Sequence, residues 1–409
     1  MAAQCLLIII YLAFISLGLP DSLLGAAWPV MRLDFHAPLE TAGLLSMLIT
    51  ASTIASSLAC GYMLRRFGTG KLTLISCILT AGALLGFSFA PSWGWIVLLA
   101  IPLGLGGGSV DAGLNHYVAA HYKAHHMSWL HCFWGVGATI GPIVMSRFIA
   151  ESSSWRDGYL TISVLQFGLV VILFATLPLW GRASAGARES GNAHEPEGRE
   201  GGVPEEESAA PSSPWRIRGV AFALASFLLY CGVEAGVGLW GSSYLVNVKA
   251  LDASAAAQWI SVYYAGITVG RFITGFITFK VSNRMLIRAG QVTALAGGAL
   301  VVLPLPAEFT FAGLIVTGLG LAPIFPCMLH ETPVRFGKKH AQTIIGWQIA
   351  VAYAGSTLVP PLLGFLASVA SLAIFPAYLV ILAAAMLLCT ERLNAMLRLR
   401  GAVADIRVK

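Results

Sequence analysis

The stretch Ile101-Pro-Leu-Gly-Leu-Gly-Gly-Gly-Ser-Val-Asp-Ala-Gly-Leu-Asn115 places one carboxylate, Asp111, in a run otherwise apolar enough to span a bilayer. A carboxylate in hydrocarbon costs about 3 kcal/mol on insertion scales, so it is retained where it faces protein or a water-filled cavity. Asn115 follows four residues later, which puts both side chains on one helix face. Asp21 and Glu234 are further acids inside apolar stretches. Acids in several spans indicate a membrane protein that moves something polar.

The composition supports a membrane protein. Hydrophobic residues make up 57% of the 409 residues and charged residues 11%, whereas soluble proteins have about 25% charged residues. The net charge is +6, but the basic residues lie between apolar stretches and not on one soluble face, so no nucleic-acid partner is predicted. The seven cysteines lie in apolar stretches without paired spacing, so no metal, cofactor or disulfide is predicted.

The apolar stretches divide into twelve candidate spans. Each is long enough to cross a hydrocarbon core of about 30 Å, which takes about 20 helical residues. Their limits are 5–31, 39–64, 72–91, 94–121, 128–150, 157–181, 216–246, 255–279, 285–305, 308–331, 341–368 and 371–391. The sequence therefore predicts an all-α membrane protein with twelve transmembrane helices.

Basic residues are distributed unevenly between alternate loops. One set of loops holds Arg65, Arg66, Lys71, Lys123, Lys280, Arg284, Arg288, Arg335, Lys338 and Lys339. The other set holds little beyond Arg32, Arg147, Arg156 and Lys249. Because cytoplasmic loops carry the excess of Lys and Arg, both termini are predicted to be cytoplasmic, in a cell inner membrane or plasma membrane.

A polar segment separates two blocks of six spans. Residues 182–214 are rich in Gly, Glu, Ser, Pro and Ala, a composition typical of a flexible linker. The predicted organisation is an N-terminal half at 1–181, the linker at 182–214, a C-terminal half at 215–391 and a cytoplasmic tail at 392–409.

The two blocks resemble each other. Gly18-Leu-Pro-Asp21 in the first span matches Gly232-Val-Glu234 in the seventh, and Gly104-Leu-Gly-Gly107 in the fourth matches Gly318-Leu-Gly-Leu321 in the tenth. The shared order of these matches indicates an internal repeat of six helices. Two such halves around a site at the membrane midplane form a known plan of secondary transporters.

The whole chain resembles the major facilitator superfamily. The loop after the second span is similar to that family's signature G-x-x-x-D-R-x-G-R-K, to which Gly61, Arg66 and Gly68 fit. Arg65 stands where the family usually has Asp, and Thr69 where it has Arg, so the usual latch between that Asp and a helix dipole is not expected. The resemblance implies two pseudo-symmetric six-helix halves and a transporter, not an enzyme.

Within the superfamily, four segments resemble the fucose and glucose permease branch. They are Trp129–Pro142, Tyr230–Trp240, Tyr264–Arg271 and Gly318–Pro326. This resemblance implies that an Asp in the first helix, and an acid followed four residues later by Asn in the fourth, serve proton coupling and sugar binding.

Asp21 occupies the first of these positions, and Asp111 with Asn115 occupies the second. Glu234 is a third candidate for ion coupling or for helix packing. Arg66 and Arg271 are candidates for a gate or for structural pairing, since Arg271 lies deep in the eighth span.

Aromatic and amide side chains are the remaining candidates for a sugar site. Amides both donate to and accept from hydroxyl groups, and Trp or Tyr rings stack on an apolar sugar face. The substrate-binding candidates are Asn115, His131, Trp134, Trp240, Tyr264, Trp347, Gln348 and Tyr353.

The hypothesis from the sequence is secondary active uptake of a sugar or similar small polar solute, coupled to protons or sodium, by a monomer surrounded by lipid. Alternating access of the two halves is the expected mechanism. One alternative is proton-coupled export of drugs or amphipathic metabolites. Another is a non-transporting receptor or lipid-handling scaffold, which the buried acids argue against.

Overall fold

The computed structural model describes residues 2–122, 124–152, 154–191 and 217–408, and within these ranges the chain is helical without strands. The helices of the first half are α1 (Ala2–Asp21), α2 (Leu23–Asp34), α3 (Thr41–Ser88), α4 (Trp93–His121), α5 (Ala124–Ser152) and α6 (Trp155–Gly191). Those of the second half are α7 (Val220–Asn247), α8 (Ala253–Ile277), α9 (Asn283–Val302), α10 (Ala307–Leu321), α11 (Ile324–Phe336), α12 (Lys338–Val369) and α13 (Phe375–Val408).

Eleven stretches of the described chain are long and apolar enough to cross a membrane. One of them, α3, has 48 residues and is interrupted at Gly68, whose φ of 73° and ψ of 163° are not helical. A positive φ is readily adopted by glycine, so the chain turns there between the second and third predicted spans. The described chain thus contains the twelve predicted spans, and the predicted fold class is confirmed.

Two spans consist of two helices each. The first span is broken at Ser22, between α1 and α2, directly after Pro20 and Asp21. The tenth is broken before Ile324, between α10 and α11, where Pro323 precedes the second helix. Proline lacks the backbone N–H of a helical hydrogen bond, which favours a break at these points. The break in the first span exposes one of the candidate acids, Asp21, at mid-span.

The predicted linker and tail overlap the described helices in part. Residues 182–191 continue α6, and residues 392–408 continue α13. The rest of the predicted linker, 192–214, lies outside the described residues, as does 409.

Large apolar side chains cover the outside of the helix bundle. Leu58 and Phe279 have exposed fractions of 82% and 87%, and Val171, Phe174 and Leu388 are also exposed. Such a surface suits lipid tails, because apolar side chains in contact with hydrocarbon are not exposed to water.

Twelve spans return the chain to the side from which it started, so both termini lie on one side of the bundle, here called the termini side. On the opposite, far side, the two halves are in close contact. A Cβ atom added to Gly25 of α2 would overlap the carbonyl oxygen of Gly238 in α7, so the two backbones touch. The guanidinium of Arg32 donates to Asn247 Oδ1 at 3.3 Å across the same helix pair.

On the termini side the helices of each half pack among themselves. The segment α1 packs against α4, α5 and α6 of its own half, whereas α2 packs against α7 and α8 of the other half. Similarly, α11 packs against α7, α9 and α12. The contacts of α2 with α7 and α8 thus join the halves on the far side, whereas α1 and α11 pack within their own halves, an arrangement that fits a space open toward the termini side.

Candidate functional site

Asp21 lies at the break of the first span and faces the space between the halves. Its side chain is exposed although it is in the middle of a membrane span. Its Oδ2 accepts a hydrogen bond of 2.7 Å from the indole Nε1 of Trp134 in α5. The structure therefore brings together two residues that the sequence assigned to coupling and to substrate binding.

Asp111 lies in α4 and contacts both halves. Its Oδ1 accepts a hydrogen bond of 2.8 Å from Asn115 Nδ2, one helical turn along α4. Its Oδ2 accepts a hydrogen bond of 3.3 Å from the hydroxyl of Tyr353, which belongs to α12 in the second half. Three candidate residues are thus in direct contact, and one of their hydrogen bonds links the two halves.

Glu234 forms an ion pair with Arg271. The distance from Glu234 Oε1 to the Arg271 guanidinium is 3.1 Å, and the side chains have exposed fractions of 17% and 12%. The same guanidinium donates to the Tyr230 hydroxyl at 3.2 Å. Its central carbon also lies 5.4 Å from the ring centre of Trp134, within the range of a cation–π contact. Arg271 is therefore paired, as one of the two roles predicted for it required.

Two more candidates lie beside this cluster. The ring of Tyr264 in α8 meets that of Trp134 edge to face, with centroids 6.3 Å apart. His131 lies one turn before Trp134 on α5, and its ring contacts Phe14 edge to face at 6.1 Å. Both rings border the polar cluster formed by the acids.

Four candidates lie elsewhere. Trp240 is fully buried, and its indole N–H donates to the carbonyl of Pro360 at 2.8 Å, so it serves the packing between helices. Gln348 is buried and accepts from the hydroxyl of Thr332 at 2.9 Å.

Trp347 packs against an apolar cluster at the termini side of the second half. Arg66 donates to the hydroxyl of Tyr62 at 3.3 Å on the same helix. The structure does not bring these side chains to the acids, although the sequence grouped Trp240, Trp347 and Gln348 with the substrate-binding candidates.

Tyr230 is a site residue that the sequence did not single out. It is fully buried one turn before Glu234 on α7 and accepts from Arg271. The available signal was its spacing, since residues four apart share a helix face. That spacing does not identify Arg271 on α8 as the partner of Tyr230.

The charge balance of the cluster limits what it can bind. Within the described part of this cluster, the arginine is Arg271, and it is paired with Glu234. Asp21 and Asp111 accept hydrogen bonds from Trp134, Asn115 and Tyr353, which are all neutral donors. The described residues also hold no group of three or more His, Cys, Asp or Glu side chains suited to a metal ion.

The model of the Major Facilitator Superfamily matches residues 10–360. The chain belongs to the major facilitator superfamily. The match covers both halves, including every acid of the cluster described above.

Curated relatives are similar over most of the chain. "Bypass of stop codon protein 6" of Saccharomyces cerevisiae is 24% identical over 383 residues, which is 89% of this chain and 77% of the relative. The glucose/mannose transporter GlcP of Bacillus subtilis is 21% identical over 360 residues, 87% of this chain and 86% of the relative. The probable sulfoacetate transporter SauU of Cupriavidus necator is 22% identical over 290 residues, 68% and 64% of the two chains.

Solved transporters share the fold. A bacterial homologue of the human lysosomal transporter Spinster, inward-facing and unoccupied, has a TM-score of 0.71 at 13% identity, covering 96% of this chain and 98% of that one. The transporter FucP in its outward conformation has a TM-score of 0.60 at 13% identity, covering 96% and 99%. Membership of the superfamily, together with the curated relatives, shows a multi-pass membrane transporter of small solutes and not an enzyme, as the sequence predicted.

Proposed function

We propose that this protein is a secondary active transporter that takes up a neutral, polyhydroxylated solute of the sugar class, coupled to a cation. The observation that carries this proposal is the pair of acids, Asp21 and Asp111, that face the space between the two halves and accept hydrogen bonds from neutral donors. An unpaired acid inside a membrane span is by default a functional group.

The charge of the cluster favours a neutral solute over an anion. A carboxylate or sulfonate needs a free cationic partner, but Arg271 is already held by Glu234 at 3.1 Å. An anionic solute would also approach Asp21 and Asp111, and like charges repel strongly where the dielectric constant is low. Among the relatives, this argument supports the solute class named for GlcP over that named for SauU.

The side chains around the acids suit hydroxyl groups. Asn115 and Tyr353 contain both donors and acceptors, and their contacts place them at Asp111. The rings of Trp134 and Tyr264 offer apolar surface for a sugar face. His131 adds a ring nitrogen near the same cluster.

The acids also supply the coupling site. Within the described part of the chain, no base forms an ion pair with Asp21 or Asp111. A proton that binds either acid neutralises its charge, which removes the cost of holding that charge away from water. Sodium is the other candidate, because carboxylate, amide and hydroxyl oxygens are the ligands of hard cations. The transport experiment below tests both ions.

The closed far side and open termini side correspond to one state of an alternating-access cycle. The excess of basic residues in the loops of the termini side supports a cytoplasmic position for that side, and in this proposal the structure is an inward-open state. In this proposal the segments 182–214 and 392–409 are cytoplasmic, the membrane is a cell inner or plasma membrane, and the unit is a monomer surrounded by lipid.

The test is uptake of radiolabelled hexoses and deoxyhexoses into proteoliposomes, first under a proton gradient and then under a sodium gradient. We expect accumulation under one gradient, and we expect Asp111→Asn to reduce it to the level of protein-free liposomes, because an amide cannot take up a proton or neutralise a cation. Glu151→Gln is the matched control, since Glu151 is an exposed acid at the far-side end of α5. Absence of hexose movement under either gradient rules out the sugar proposal and makes export of cationic dyes the next experiment.

A further inference from the structure

Trp134 lies between charged groups of the two halves. Its indole N–H donates to Asp21 of the first half at 2.7 Å. The guanidinium of Arg271 in the second half lies 5.4 Å from the centre of the same ring. Arg271 in turn pairs with Glu234 at 3.1 Å. One aromatic side chain thus separates an unpaired acid from an ion pair.

The two contacts of the indole reinforce each other. A hydrogen bond from N–H to a charged carboxylate is shorter and stronger than one to a neutral acceptor. Donation to an anion polarises the donor group, as neighbouring hydrogen bonds polarise one another in a low-dielectric interior. The polarised indole has a more negative ring face, and a cation above the face is attracted by that negative charge. A charged Asp21 therefore strengthens the cation–π attraction between Trp134 and Arg271, and a neutral Asp21 weakens that attraction.

We propose that Trp134 is a positioning residue that transmits the charge state of Asp21 to the Arg271–Glu234 ion pair across the interface between the halves. When Asp21 loses its charge, the ring releases part of its attraction for Arg271, and the ion pair is free to reorient within the second half. This inference rests on the proposed function in that the cation which neutralises Asp21 is the coupling ion.

The ring lies among several charged or titratable groups. They are Asp21 in the first span, Asp111 in α4, His131 in α5, Tyr230 and Glu234 in α7, and Tyr264 and Arg271 in α8. Of these, the contacts of the indole itself are with Asp21, Arg271 and Tyr264. The sequence predicts Trp134 as a stacking surface for a sugar. Arg271 covers one face of its ring, so the other face remains for the solute.

The first test needs no solute. The protein is labelled with 5-fluorotryptophan, and the fluorine resonance that disappears in Trp134→Phe is assigned among those of the eleven tryptophans. We expect this resonance to shift as the pH is varied, to lose its pH dependence in Asp21→Asn, and to move in Arg271→Lys. The resonance of Trp129, which is half exposed on the same helix, serves as the internal control and stays unchanged. The proposal is overturned if the Trp134 resonance keeps its pH dependence in Asp21→Asn or does not move in Arg271→Lys.

The second test separates transmission from structure. Trp134→Phe keeps a ring under Arg271 but removes the donor to Asp21. We expect gradient-driven accumulation of glucose to fall about tenfold or more, the effect of losing a charge-assisted hydrogen bond. Exchange of glucose across the membrane without a gradient is expected to fall less than accumulation, because Phe keeps an aromatic face for the solute and exchange needs the halves to move but not the transmitted signal. Trp129→Phe is the matched control and leaves both measurements unchanged.

The outcomes distinguish this inference from the proposed function. Equal loss of accumulation and exchange in Trp134→Phe indicates a structural role and overturns the inference, as does accumulation at the wild-type level. If the wild type moves neither glucose nor any other hexose or deoxyhexose, the proposed solute class is wrong, and the fluorine resonances alone decide whether Trp134 senses both Asp21 and Arg271.

Discussion

The acids of the two halves are held in different ways. In the first half, Asp21 and Asp111 accept hydrogen bonds from neutral groups, at 2.7 Å from Trp134 and at 2.8 Å from Asn115. In the second half, Glu234 is paired with Arg271 at 3.1 Å. A neutral partner lets an acid gain or lose a proton without leaving a buried base unpaired, whereas removing the charge of a paired acid leaves its buried base without a partner. The repeat thus preserves the fold of each half while the chemistry differs.

The termini-side ends of the two halves differ in the same way as their mid-span acids: the second half has ion pairs, and the first half has a hydrogen bond to a neutral group. In the second half, Glu331 accepts from Arg284 at 3.1 Å and from Arg335 at 3.2 Å. In the first half, Arg66 donates to the neutral hydroxyl of Tyr62. The departure of Arg65 from the family signature is consistent with this weaker arrangement. The second half therefore carries fixed ion pairs at mid-span and at its end, and the first half carries neither among the contacts described.

The largest effect is expected from separating the mid-span ion pair. Arg271→Met leaves Glu234 without its base, and loss of one partner of a buried pair costs about 3–5 kcal/mol. The double variant Arg271→Met, Glu234→Gln is expected to be more stable than this single variant, because no unpaired charge remains. Thermal unfolding in detergent micelles measures both.

Arg147→Met is the control for this comparison, since the Arg147–Glu151 pair is exposed and its loss is expected to leave the unfolding temperature unchanged. If the double variant unfolds at the same temperature as Arg271→Met or below it, Glu234 and Arg271 do not act as a pair.

A smaller effect is expected at the termini-side ends. Arg335→Gln removes one donor from Glu331 in a site where the arginine side chain is 4% exposed, at a cost of about 1–3 kcal/mol. Arg284 still pairs with Glu331, which limits the loss. Arg66→Gln in the other half is the matched substitution and leaves stability unchanged, because its contacts are exposed. Equal losses in the two variants, measured by thermal unfolding, contradict the asymmetry between the halves.

The smallest effect is expected from the hydrogen bond that links the halves. Tyr353→Phe removes one donor to Asp111, worth about 1 kcal/mol. A double-mutant cycle with Asp111→Asn is expected to show coupling between the two residues, because residues in direct contact are not additive. Tyr378→Phe, whose hydroxyl donates to the carbonyl of Gly232, is the control and is expected to be additive with Asp111→Asn. Additivity in the Tyr353 cycle shows that the link between the halves contributes no measurable stability.

The sequence predicted the spans correctly and singled out the acids as candidates because both are local signals. Runs of apolar residues set the helices, and a single acid inside such a run is visible without knowing its neighbours. Even the doubled span in α3 was anticipated, since the polar loop around Gly68 divides two apolar stretches. The breaks within the first and tenth spans were not predicted, although Pro20 and Pro323 mark them.

The partners of the acids were not predicted because they are distant along the chain. Trp134 is 113 residues from Asp21, and Tyr353 is 242 residues from Asp111. The same limit explains the candidates that lie elsewhere. Trp240 has a ring with a polar N–H, Gln348 has an amide, and both lie within spans, as a sugar site requires. Only the packing of the helices shows that Trp240 is already hydrogen-bonded to Pro360, and Gln348 to Thr332.

The contact between Gly25 and Gly238 has a genetic consequence. The backbones of α2 and α7 touch at a point where an added Cβ has no room. Glycine is the only encoded residue without a Cβ, so every missense mutation in the Gly25 codon adds at least a methyl group to the contact between α2 and α7. The Gly25 codon therefore tolerates silent changes alone if the far side is to close. Variation between individuals is expected to be absent there, while it accumulates at glycines with open space around them, such as Gly82.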